Sequence, residues 1–245
     1  MTKLLLNGAR GRMGQAIQAV AAEQGCEIAV ALDVGDAPLA DWRAAGIEAV
    51  IDFSHHDATV PLLEQAVAAG VACVIGTTGH TEAERARIEA LARETAVVFA
   101  GNYSLGVNLL IYLTEIAARA LDSSFQPEIL EAHHRHKKDA PSGTAEHLIE
   151  AVREARALSR EALRHGREGM AGPRPEQEIG VHAIRGGDIV GEHTVLFAGE
   201  GERVELTHRA TDRAIFARGA LTAAKWATSQ KPGLYTMREV LQLGA

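Results

Sequence analysis

The chain has 245 residues, 47% of them hydrophobic and 23% charged, enough apolar matter to bury one large core or two modest ones and too much for a disordered segment. With 25 Lys and Arg against 32 Asp and Glu, its formal net charge of -7 excludes a general attraction to nucleic acid or to an anionic membrane surface. Two cysteines, Cys26 and Cys73, make neither a disulfide framework nor a zinc site, which fits a reducing cytoplasm.

From residue 3 to 101, short apolar runs alternate with segments of helical period. "LLLN", "EIAVALD", "EAVIDF", "VACVIG" and "AVVFAG" read as strands, with "GQAIQAVAAEQ", "ATVPLLEQAVAAG" and "AERARIEALARE" as helices between them. Continuous apolar strands separated by helices suit a parallel sheet covered on both faces, so a Rossmann-like, doubly wound α/β domain is expected. Residues 34–47, with Gly35 and Pro38, are too few for more than a short helix between the second and third strands. None of the apolar runs approaches the roughly 18 residues of a membrane span. "MTKLLLNG" lacks the apolar stretch of a signal peptide, and a soluble protein is expected.

After "GNYSLGVNLLIYLTEIAARALD" the pattern changes. "PEILEAHH" reads as a strand, "TAEHLIEAVREARAL" as a helix and "GREGMAGPRPEQE" as a polar loop; "VHAIR", "GEHTVLFAG" and "ERVELTHRA" follow as strands, the last two joined by a Gly-Glu-Gly-Glu hairpin. This predicts a second, α+β domain with a mixed or antiparallel sheet. The tail "RAIFARGALTAAKWATSQ" is a further helix that pattern alone does not place.

"LLLNGARGRMGQAI" sets Gly8, Gly11 and Gly14 between the first strand and the first helix. Glycines there let the backbone turn, approach a pyrophosphate and pack helix on strand, while the helix N-terminus offers N–H groups to phosphates. The spacing G-x-x-G-x-x-G is weak by itself, and the plain alternative is an ordinary turn. The position right after a buried strand, and Asp33 about 20 residues on to bind a ribose hydroxyl, favour a dinucleotide site built from Gly8, Arg10, Gly11, Arg12, Met13, Gly14 and Asp33. Asp33 favours NADH. Arg10 or Arg12 could neutralise a 2'-phosphate, so NADPH is also admitted, the alternative for each arginine being a solvated loop residue. Ligands of open parallel sheets sit at the carboxyl ends of the strands, which nominates Gly76, Thr77 and Thr78, and the backbone of Ala100, Asn102 and Tyr103, as the rim around the nicotinamide. His55, His56 and His80 read as surface neighbours of helix caps.

"EAHHRHKKDAPSGTA" concentrates three histidines and three cationic residues at 131–145 of an acidic chain. No cysteine is near and the cations repel a dication, so no metal site is expected. Ser142 reads as a helix cap with Gly143 and Thr144 in the first turn, where N–H groups and the positive dipole end attract carboxylates; Lys137 adds charge for a small dianion. A histidine beside them suits proton delivery near neutral pH.

In order along the chain, "GARGRMG", "DFS", "GTTG", "GNYSLGVN", "EAHHRHKKDAPSGTA" and "RGGDIVGEHTVLF" resemble the 4-hydroxy-tetrahydrodipicolinate reductase (dihydrodipicolinate reductase) family of bacterial lysine and diaminopimelate synthesis. The resemblance implies NAD(P)H-dependent reduction of 4-hydroxy-tetrahydrodipicolinate, through dihydrodipicolinate, to tetrahydrodipicolinate. It implies His133 as general acid, Lys137 as a catalytic and substrate-binding residue, and His134, Gly143, Thr144 and Arg213 as further substrate contacts. It also implies a dinucleotide-binding domain over 1–103 and 214–245, a substrate and oligomerisation domain over 104–213, and a cytoplasmic homotetramer whose partner is a small dicarboxylate, not nucleic acid or membrane. The chain is short for that family, with a deletion between Asp33 and Ala49, and carries Arg10 where many members have a small residue. His193 reads as a satisfied structural histidine, the alternative being a substrate contact. The rival readings are another two-domain dehydrogenase, such as one acting on aspartate, and a dinucleotide sensor without catalysis; neither needs the acid and the lysine of the 131–145 stretch.

Overall fold

A computed structural model describes residues 1–244 and divides the chain into two compact units. One comprises Met1–Leu105 and the segment from Arg213 on; the other is Gly106–Asp212.

The first unit begins β1 (Thr2–Asn7), α1 (Arg12–Val20), β2 (Cys26–Leu32), β3 (Ala49–Asp52), α2 (His56–Ala69), β4 (Ala72–Ile75), α3 (Glu82–Leu91) and β5 (Ala96–Phe99). The chain passes from β2 to β3 without a helix, as the short connection requires. All pairings are parallel, in the order β5-β4-β3-β1-β2. Side chains alternate between the two faces: Leu4, Leu6, Ala49, Ile51, Val74 and Val98 join one apolar cluster, Leu5, Val50, Cys73, Ile75 and Val97 the other. Each buried leucine among them contributes roughly 1.5–3 kcal/mol. The registers Asn7 to Leu32, Asn7 to Asp52, Asp52 to Ile75 and Ile75 to Phe99 align the strand ends in one row, so the loops that follow leave from a single edge of the sheet.

The second unit contains α4 (Leu105–Ala120, its first residue still in the first unit), β6 (Gln126–His133), α5 (Gly143–Ala155), β7 (Leu163–His165), β8 (Ile179–Arg185), β9 (Gly191–Ala198) and β10 (Arg203–Ala210). The order is β10-β9-β6-β8-β7, antiparallel among β10, β9 and β6 and parallel from β6 to β8 and β7, so the sheet is mixed. Inward-facing Ile129, Val181, Val195 and Phe197 pack with Leu110, Leu148, Ile149 and Val152 of α4 and α5. Glu128, on the other face of β6, pins the loop before β8 through Arg167 and Arg174 and also bonds His182 of β8. Burial pushes its carboxyl up, but those hydrogen bonds override and bring it down to about 2. The space its carboxylate fills is why Gly180 has no side chain: a Cβ there would lie 1.8 Å from Oε2.

The chain then returns to the first unit with α6 (Ala214–Ala227), β11 (Gly233–Tyr235) and α7 (Met237–Val240). Pattern alone did not place the tail helix. Its small residues Ala217, Ala220, Ala223 and Ala224 are fully buried in the cluster that holds Leu4 and Leu6, and Gly219 lets it approach the Tyr103 backbone. β11 pairs parallel with β5 as the sixth strand, too short to show a period in sequence, as is β7. No helix of the described residues is long and apolar enough to cross a membrane.

Candidate active site

The glycine loop is held by close contacts. Gly8 has φ +82°, and a Cβ on it would lie 2.2 Å from the Phe53 carbonyl oxygen; one on Gly14 would lie 2.2 Å from that of Gly8. Gly11 precedes α1 with no side chain capping the helix, so Arg12, Met13 and Gly14 open a helix whose first N–H groups are not claimed by a side chain. Such a tight, uncapped cradle fits a dinucleotide pyrophosphate. Beside it, Asp33 follows β2. Its Oδ2 accepts from Arg10 N at 2.6 Å and its Oδ1 from Val34 N at 2.8 Å, and these bonds hold its carboxyl below the usual range. The Arg10 guanidinium is turned to Asp36, 3.0 Å away, and donates to the Val34 carbonyl at 2.9 Å, while Arg12 is exposed.

A buried carboxylate absent from the predicted site organises the neighbouring loops. Asp52 Oδ1 accepts from Asn7 Nδ2 at 2.9 Å and Ser54 Oγ at 2.5 Å; its Oδ2 accepts from Thr59 Oγ1 at 2.7 Å and Thr77 Oγ1 at 3.0 Å. Thr77 thus spends its hydroxyl inside the protein and also accepts from Ser54 N, whereas Thr78 is exposed at the rim. Gly76 packs against the Phe53 ring, which leaves no room for a Cβ. For Tyr103 the rim reading concerns the backbone alone. Its side chain is buried, with the hydroxyl donating to the Ile75 and Val98 carbonyls, so only its backbone is left to line a site; Ala100 and Asn102 remain partly exposed. His80 is likewise not a surface residue: it is buried edge-on against Phe99, and burial pushes its pKa down. His56 pairs with Glu84 at 2.9 Å.

In the second unit, the two-residue period of β6 puts Ile129, Glu131 and His133 on the inward face. Glu131 is 1% exposed. Arg185, in register with His133 on β8, grips it with Nη1 to Oε2 at 2.7 Å and Nη2 to Oε1 at 2.6 Å. His133 Nδ1 lies 2.6 Å from Oε2, and Ser142 N donates to Oε1 at 3.2 Å. Burial pushes the Glu131 carboxyl up, but Arg185 and His133 together bring it below the usual range. Burial pushes the His133 pKa down, and Glu131 only partly offsets it. Ser142 caps α5 by accepting from Ala145 N, as expected, and its Oγ also meets His193 Nε2 at 3.0 Å. Burial pushes His193 down to about 4, so it is neutral at pH 7. Lys137 is paired with Asp139 at 2.7 Å. Gly143 is exposed, with open space where a Cβ would stand, and Thr144 follows in the first turn of α5. His134 is partly exposed, its ring 6.2 Å from that of His136. Arg213 stands immediately before α6, outside the second unit.

The second unit thus groups a carboxylate-held histidine, a lysine and a helix N-terminus, and the first unit carries a glycine loop with the carboxylate of Asp33 beside it. Family models described as dihydrodipicolinate reductase, N-terminus and C-terminus, match residues 2–103 and 106–241. The chain belongs to the dihydrodipicolinate reductase family. A 4-hydroxy-tetrahydrodipicolinate reductase of Thiobacillus denitrificans is 50% identical, the match covering 98% of each chain; that of Akkermansia muciniphila is also 50% identical, with 99% of each covered. A dipicolinate-bound dihydrodipicolinate reductase from Paenisporosarcina sp. TG-14 shares the fold, with TM-score 0.78 over 96% of this chain and 97% of that one at 23% identity. Membership makes the protein an NAD(P)H-dependent oxidoreductase whose N-terminal half binds the dinucleotide.

Sequence reasoning missed Asp52, Glu131 and Arg185. A signal existed for two of them: an acid ends the otherwise apolar "AVID", and another interrupts the inward positions of "ILEAH". Arg185 ends its strand like any exposed residue and carried no such mark.

Proposed function

We propose that the protein reduces 4-hydroxy-tetrahydrodipicolinate, after loss of water to dihydrodipicolinate, to tetrahydrodipicolinate in the diaminopimelate route to lysine. The bound nicotinamide supplies a hydride from C4 to the conjugated imine. The chain's own residues do the rest. Gly8, Gly11 and Gly14 seat the pyrophosphate and Asp33 binds the ribose. Lys137, His134, Arg213 and the Gly143–Thr144 N–H groups hold the two substrate carboxylates, and His133 delivers the proton that completes the reduction. For Lys137 this means exchanging Asp139 for a substrate carboxylate.

The observation that carries this reading is the Glu131-held imidazole of His133 beside a lysine and the N-terminus of α5. A dinucleotide sensor has no use for such a proton donor, and a family match along nearly the whole chain stands against another dehydrogenase. Two further expectations belong to the same reading. The β6–β10 sheet carries its apolar cluster on one face only, leaving Leu130, Thr194 and Leu196 on the other, which supports assembly through that face into a homotetramer. The two free, buried cysteines suit a reducing cytoplasm.

The test is to follow the nicotinamide absorbance with NADH and enzymatically generated substrate. Turnover is expected, with His133→Gln lowering kcat by about 100-fold or more while leaving NADH binding unchanged. Absence of turnover by the wild type would favour the sensor; turnover with oxaloacetate and ammonia alone would favour the aspartate enzyme.

A further inference from the structure

We propose that Glu131, clamped by Arg185, is the positioning residue that fixes the ring of His133 through Nδ1 and makes Nε2 the proton-donating atom. The proposal rests on the reading of His133 as the acid.

A carboxylate this deeply buried is costly unless its lone pairs are filled. Four contacts do so: two from Arg185, one from Ser142 N and one from His133 Nδ1. An ion pair with Arg185 alone would leave the imidazole free to turn. Instead Oε2 is shared between Arg185 Nη1 at 2.7 Å and His133 Nδ1 at 2.6 Å, so the ring is held by the same atom that anchors the arginine. An ionised carboxylate only accepts, so Nδ1 carries a proton and Nε2 is the nitrogen whose proton comes and goes.

The far edge of the ring faces a residue without a side chain on the neighbouring strand. A Cβ on Gly191 would lie 3.1 Å from Nε2. The other groups facing the ring are His193 from β9, its centroid 5.1 Å away and neutral at pH 7, and Lys137 from the loop after β6. Ser142, before α5, bonds both Glu131 and His193.

Arg185 solves a problem that a two-residue pair would not. When His133 gives up its Nε2 proton to the reduced substrate, the imidazolium becomes neutral and a lone Glu131 would be left as an uncompensated buried charge. Arg185 keeps it neutralised before and after transfer, so the proton leaves the ring without the carboxylate taking one up. The Nε2–H bond breaks, the proton goes to substrate carbon, and water restores it from solvent.

The test uses protein with nitrogen-15-labelled histidine, followed by NMR across pH, together with pH profiles of kcat/KM for wild type, Glu131→Gln and Arg185→Lys. In wild type, Nδ1 is expected to stay protonated while Nε2 titrates. Glutamine keeps the shape of the site but not the charge that favours the imidazolium. Both the His133 titration and the alkaline limb of kcat/KM should therefore move to lower pH, with kcat at pH 7 reduced about tenfold or more and NADH binding unchanged. Arg185→Lys keeps a cation beside Glu131 and should keep the wild-type profile more closely. If Glu131→Gln does not fold, the wild-type spectrum and Arg185→Lys still decide. A wild-type Nδ1 that loses its proton first, or a folded Glu131→Gln with an unmoved pH profile, overturns the proposal while His133 can remain the acid. Full turnover by His133→Gln overturns the parent reading and this one with it.

Discussion

Asn7 and Asp52, in register at the carboxyl ends of β1 and β3, are joined by an amide-to-carboxylate hydrogen bond of 2.9 Å, the first of four that Asp52 accepts, from β1, the loops after β3 and β4, and α2. Asp52→Ala strands the Asn7, Thr59 and Thr77 donors in a buried site. A loss of about 1–3 kcal/mol in urea unfolding is expected. Because the same contacts set the loops after β1, β3 and β4, the dissociation constant for dinucleotide should rise while kcat at saturating cofactor changes little. Unchanged dinucleotide affinity in a destabilised variant would separate the two roles.

Arg10 is a divided residue, its backbone N–H on Asp33 and its guanidinium on Asp36. Asp36→Ala releases the guanidinium for a 2'-phosphate, so the affinity for NADPH relative to NADH is expected to rise several-fold, and Arg10→Ala should lower it. Asp33→Ala should weaken NADH binding more than it lowers kcat. Direct titration with each dinucleotide checks all three, and a wild-type preference for NADPH by a large factor would contradict the role given to Asp33.

Gly14→Ala forces a methyl group into the Gly8 carbonyl, a backbone atom that cannot swing aside. The expected result is a folded but less stable protein, by about 1–3 kcal/mol, with dinucleotide affinity lost out of proportion to stability. Thermal melts with and without NADH measure both effects, the ligand-induced shift disappearing in the variant.

His193 gives a pH dependence of definite sign. Folded, its pKa is about 4 against an ordinary 6.5, because burial disfavours the charged ring. Below pH 6.5 the unfolded chain takes a proton that the folded chain refuses. The stability associated with the neutral ring is therefore fully present above about 6.5 and is lost as pH falls towards about 4, at up to about 1.4 kcal/mol per pH unit. His193→Gln should flatten this slope in urea titrations between those pH values. An identical slope in both proteins would refute the assignment.

The parallel sheet was legible because apolar runs of four to seven residues alternate with helical periods, and the candidate stretch at 131–145 because its histidines, lysines and capping serine lie together in sequence. What stayed hidden depends on partners far along the chain. Glu131 and Arg185 are 54 residues apart and meet only through strand pairing. Tyr103 was read from its position after a strand, and its burial follows from packing with Phe53 and the Ile75 and Val98 carbonyls, which no local pattern encodes. The short strands β7 and β11 exist because a sheet edge receives them, not because three residues carry a period.

The first unit is closed by α6 and β11, after the whole of the second unit has intervened in the sequence. During synthesis the whole of the second unit is therefore made before the helix that covers Leu4 and Leu6, and β5 waits as a bare sheet edge until β11 follows. The inserted unit holds all of its own strands, so its sheet can form before the chain that completes the other sheet has been made.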